Sequence, residues 1–195
     1  MNRAQHSKTS LFLMELIIAI LFFSISGAIC VQLFVKAHML SETSVEMNNS
    51  VLWTQNVSET FHGMHGSLHS IADFFSDSSI VIVSYEDNPE VGTLVMFFDE
   101  DWELINFPTE NGALENAKYE LLLCISKLPA AEVYADTSAN TSLMNGNALV
   151  GEIVILKMED STIIDHIPEE NNPSIISDRF TDYYIGIMED DAYET

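Results

Sequence analysis

Residues 16–35 (LIIAILFFSISGAICVQLFV) run for twenty positions without a charge, with Ser24, Ser26 and Gln32 the only clearly polar side chains. As a helix at ~1.5 Å per residue, such a run covers roughly 30 Å, about one hydrocarbon thickness of a bilayer. In lipid, a single span must satisfy its own backbone donors and acceptors, and only a helix does so. The sequence therefore predicts a transmembrane helix over residues 11–36, with Leu16, Ile20, Phe23, Gly27, Val31 and Val35 along the span. Glu15 is the exception, a carboxylate five residues into the apolar stretch with no basic neighbour.

The charges outside this run are unevenly placed. The chain has 195 residues, with 7 basic and 30 acidic side chains and a net charge of −23. Arg3, Lys8 and Lys36 lie at or before the end of the span; beyond it Lys118, Lys127, Lys157 and Arg179 stand against 29 acids. Such a surface repels phosphate, which argues against nucleic acid and anionic headgroups as partners of the domain. More positive charge precedes the span than follows it, so the expected orientation is a cytoplasmic amino terminus with the rest extracytoplasmic, at the cell membrane as a single-pass protein. Cys30 falls in the span and Cys124 in a later apolar run, so no disulfide framework is expected within one chain.

The basic leader MNRAQHSKTS followed by LFLMEL at the head of a long apolar helix resembles the signal of type IV pilins and type II secretion pseudopilins. The resemblance covers about 35 residues. It implies a prepilin peptidase cut between Ser10 and Leu11, with Glu15 as the family's assembly acid five residues after the cut. It also implies packing of the helix with other pilin-like subunits, in homo- or hetero-assembly. Ser10 stands where the family nearly always has Gly, and Leu11 where it has Phe or Met. Ser26-Gly27-Ala28 also offers a small-x-small site for ordinary signal peptidase, but the apolar run continues seven residues past it. A lipoprotein signal would need a small residue before Cys30, where Ile29 stands.

Beyond Lys36 the helix is expected to continue to about residue 73. Leu40, Met47, Val51, Phe61, Met64, Leu68, Ile71 and Phe75 supply an apolar face, and Gly63 and Gly66 a bend. The strands expected next are 80–85, 92–98, 102–107, 119–128, 148–158 and 162–167, with an acidic hairpin turn at Asp99-Glu100-Asp101 and a loop over 136–147. The predicted fold is α+β, a long amino-terminal helix packed on a mostly antiparallel β-meander. The predicted division is a leader over 1–10, the span over 11–36, an exported domain over 37–167 and an acidic, disordered tail over 168–195.

Chemistry is sparse. His62, His65 and His69 fall near one helical face, as metal ligands would, but no acid is expected within one turn to complete a ligand set. Asp99, Asp101, Glu103 and Glu110 match some spacings of a calcium loop, yet Leu104 occupies the position that needs Gly. Sequons at Asn48, Asn56 and Asn140 are three-residue matches only. No phosphate loop, nucleophile elbow or Cys/His pair occurs. The sequence is therefore expected to be neither an enzyme nor a carrier of a metal or cofactor. Two readings stay open: a pilin-like assembly subunit, which Glu15 favours, and an anchored extracytoplasmic binding module that is neither processed nor polymerised, which Ser10 and the high charge favour.

Overall fold

The computed structural model describes residues 3–77, 79, 81–85, 90–106, 114, 116–135, 145–158, 163–164, 166–169 and 171–186, with side chains from Ser10 onward. It divides into two units, Met1–Glu46 and Met47–Thr195. The first unit is helix, the beginning of α1 (Arg3–Gly63). The second holds the end of α1, then α2 (Leu68–Ser76), β1 (Val81–Tyr85), β2 (Gly92–Phe98), β3 (Tyr119–Pro129), α3 (Ala130–Val133), β4 (Asn147–Lys157) and β5 (Ile175–Gly186).

The five strands form one open sheet in the order β1-β2-β3-β4-β5, and every neighbouring pair is antiparallel. Each strand thus pairs with the next in the chain, without crossovers. The α+β class and the antiparallel meander are those the sequence predicts.

Side chains alternate across the pleat, so the sheet has two apolar faces. One bears Leu94, Met96, Phe98, Leu121, Leu123, Leu149, Ile153 and Ile155, covered by Val57 and Phe61 of α1 and by Leu68, Ile71 and Phe75 of α2. The other bears Val95, Phe97, Leu122, Val154 and Leu156, covered by Leu114, Ile164 and Ile167. Glu120 is fully buried on this second face, and its carboxylate accepts the Ile164 N–H at 3.1 and 3.2 Å. That bond gives the buried acid a donor and fastens the covering segment to the sheet.

Four expectations need correction. The helix does not merely bend at the glycines. Gly66 N–H bonds to the Phe61 carbonyl and His65 N–H to that of His62, at 2.8 and 3.2 Å, and His65 takes φ 56°. This is a Schellman ending, which terminates α1; Ser67 then caps α2 by accepting the Ser70 N–H. The apolar face is also shifted. Leu40, Met47 and Val51 are exposed, whereas Ser50, Thr54, Val57, Ser58 and Phe61 are buried. The small hydroxyl residues cost little to bury because the Ser50 and Thr54 hydroxyls donate to the Met47 and Ser50 carbonyls, at 2.8 and 3.0 Å.

The expected strand over 102–107 reduces to a single bridge between Phe98 and Leu104. Trp102 takes φ 63°, which breaks the extended backbone, and its ring stacks on Tyr119 at 4.0 Å. The final strand is not 162–167, whose described residues form no strand, but β5, inside the stretch expected to be a disordered tail. The acids of β5 sit at a sheet edge, where charge is tolerated and discourages pairing with other chains. Residues 107–113, 136–144, 159–162 and 187–195 lie outside the described residues, including Glu110 and Asn140.

Candidate functional site

The apolar part of α1 is the most unusual surface of the chain. Apolar residues occur on every side of it, the pattern of a helix surrounded by protein or by lipid. Protein does not surround it here: no residue from Ser10 to Val45 is buried. Exposure along the predicted span runs from 46% at Leu16 to 81% at Phe23, with Ile20, Val31 and Val35 between. At Gly27 an added Cβ would meet nothing within 4 Å, so that glycine leaves a gap in the helix surface. By length and composition this is a helix fit to cross a membrane.

Its polar groups are handled locally. The Ser24 hydroxyl donates to the Ile20 carbonyl at 2.8 Å, which lets a serine sit in hydrocarbon without an orphaned donor. Further along, Thr43 donates to the Met39 carbonyl at 3.0 Å and His38 lies 3.2 Å from Glu42. Ser10, Leu11 and Glu15 are all exposed, and among the described residues Glu15 forms no ion pair. A carboxylate near the end of a span costs less than one at its centre, but it still calls for a partner or for headgroup water.

In the second unit, the three histidines do not converge. The His62 Nε2 lies 3.0 Å from the Thr181 hydroxyl, which in turn accepts from the Ser58 hydroxyl at 3.1 Å. His65 sits edge-on to the Tyr183 ring at 5.3 Å. His69 turns the other way, with Nδ1 3.4 Å from the Tyr85 hydroxyl and Nε2 3.5 Å from Asp73. Asp73 is thus an acid one turn away, contrary to the sequence reading. The Schellman turn between the helices sends the side chains toward opposite edges of the sheet. Among the described residues no group of three His, Cys, Asp or Glu side chains could hold a metal.

The acidic turn has a structural role. Asp99 Oδ1 accepts the N–H groups of Asp101 and Glu103 at 3.0 and 2.9 Å, so this carboxylate caps its own hairpin.

Two titrating groups, Tyr134 at the end of α3 and Glu152 on β4, lie beside acids of β5. The Tyr134 hydroxyl donates to Asp182 Oδ2 at 2.5 Å; burial of the phenol, reinforced by this bond and the carboxylate's charge, pushes its pKa up to about 12. Burial and the nearby Asp178 carboxylate hold the Glu152 pKa above the ordinary range. Sequence reasoning missed this cluster because it did not assign β5 as a strand.

No family model, curated protein or solved structure matches the chain. The functional reading therefore rests on these residues.

Proposed function

We propose that the chain is a membrane-anchored, pilin- or pseudopilin-like subunit that takes part in assembling a surface filament or secretion-type apparatus. The observation that carries this reading is the apolar stretch of α1, in which no residue from Ser10 to Val45 is buried, with Glu15 exposed near its start. A helix needed only as an anchor would gain from an apolar residue at position 15. In an assembly the acid has a use. If the chain is cut after Ser10, the new amine of Leu11 on a neighbouring copy is a cation of the right sign, and an apolar setting strengthens their attraction. Uncut, Glu15 lies about one turn above Leu11. The layout of a long apolar helix followed by an antiparallel sheet supports the same reading.

The test is Glu15→Leu in the full chain. Membrane insertion should be unchanged, while co-purification of differently tagged copies, or of other pilin-like chains, should be lost. If wild type and variant associate equally well, Glu15 is a tolerated charge and the anchored binding module is the better description.

A further inference from the structure

A groove of about 470 Å³ opens in the second unit between the end of α1 and α2, lined by Trp53, Asn56, Glu59, Thr60, Gly63, Met64, Phe74 and Phe75. We propose that this groove binds a small organic ammonium ion, one whose positive charge is carried on alkylated nitrogen.

The floor is aromatic and fixed. Trp53 packs on the buried Phe98 with ring centroids 4.7 Å apart, and Phe75 is buried beneath Phe74, which it meets edge-on at 5.1 Å. Phe74 itself is 54% exposed, a large apolar ring left in water at the rim. Apolar walls with a few polar groups, within a volume of roughly 300–1,000 Å³, are what small-molecule sites have in common.

The charge chooses the ligand. Among the described residues Glu59 is the one ionisable side chain of the lining, and the chain around it carries a net charge of −23. An anion is repelled by both. A compact, strongly hydrated cation would lose its water to rings that cannot replace it. An alkylated ammonium is weakly hydrated, attracted to the negative faces of Trp and Phe, and complementary to the carboxylate. The field of an acidic surface also raises the local concentration of cations.

Gly63 makes the site testable. It closes α1 at the groove, and a Cβ added there would meet nothing within 4 Å. A larger side chain at 63 can therefore occupy the groove without displacing the fold, and replacing a helical glycine favours the helix.

The experiment uses the full chain in neutral maltoside micelles, titrated with choline and with its uncharged carbon isostere, dimethylbutanol. Binding is read by calorimetry and by the indole resonance of Trp53. Choline is expected to bind and shift that resonance, and the isostere to bind at least about tenfold more weakly. Gly63→Leu should abolish choline binding with the thermal midpoint unchanged or raised, and Glu59→Gln should weaken it several-fold. The proposal is overturned if choline does not bind, if the isostere binds as well, or if Gly63→Leu leaves affinity intact. The last result would place the cation elsewhere on the acidic surface. None of these outcomes depends on whether the apolar helix assembles.

Discussion

Replacing Gly151 by Ala tests how closely α1 lies against the sheet. Gly151 sits on β4 opposite Thr181 of β5 and beneath Phe61 of α1. A Cβ there would stand 3.0 Å from the Thr181 Cγ2, 3.2 Å from Leu123 Cδ1 and 3.2 Å from Phe61 Cε2. All three are inside the ~3.5–4.0 Å optimum for carbon pairs. Overpacking of this kind costs about 1–3 kcal/mol. Loss of glycine's freedom in the unfolded chain returns about 0.4–1 kcal/mol. The centre of these ranges is a net loss of about 1.3 kcal/mol, a fall in Tm of roughly 3–5 °C for a domain of this size.

Thermal unfolding of the full chain in maltoside, followed by near-ultraviolet circular dichroism, measures it. Thr181→Ser removes the nearest methyl while keeping the hydroxyl that meets Ser58 and His62. In that background Gly151→Ala should cost less by about 0.5 kcal/mol or more, a coupling expected of residues in contact. Gly27→Ala, with open space around it, should leave domain stability unchanged. A Gly151→Ala protein as stable as the parent, or an undiminished cost in the Thr181→Ser background, would refute the close approach.

Phe61→Ala, at a fully buried position, should destabilise the domain by about 3–5 kcal/mol, whereas Met47→Ala, at an exposed one, should change it by less than about 0.5 kcal/mol. Equal effects in denaturant titration would mean that this part of α1 does not dock. Tyr134 gives a pH dependence. Its pKa rises from 10.0 to about 12 on folding, so its contribution is intact below pH 10.0 and is lost as pH rises through about 12. Tyr134→Phe should flatten the fall in Tm over that interval, measured against the parent at each pH.

The sequence was most informative where one physical demand dominates. Twenty charge-free residues admit little besides a spanning helix, and the β-branched runs at β1, β3 and β4 reappear within a residue or two of their expected bounds. It was least informative where polar residues do structural work. Ser50, Thr54 and Ser58 were not among the residues expected to pack on the sheet, yet they are buried, because their hydroxyls find acceptors on the helix or on Thr181. The acids of β5 obscured a strand whose Ile, Phe, Thr and Tyr content was the available signal. The Schellman turn separated histidines that periodicity had placed together. The groove was hidden for a similar reason: Trp53 and Phe74 line the same groove only because α1 ends at Gly63 and α2 starts a new axis.

Association of copies through the apolar stretch of α1 can be measured by cysteine cross-linking in native membranes. In a background with Cys30 and Cys124 replaced by Ser, single cysteines are placed at each position from 24 to 35 and oxidised. Cross-linked full-length chains are expected, with yields that rise and fall at the helical period of ~3.6 residues and collapse when Glu15→Leu is added. Uniformly low yields at every position, or a flat profile indifferent to Glu15, would rule out association through this helix.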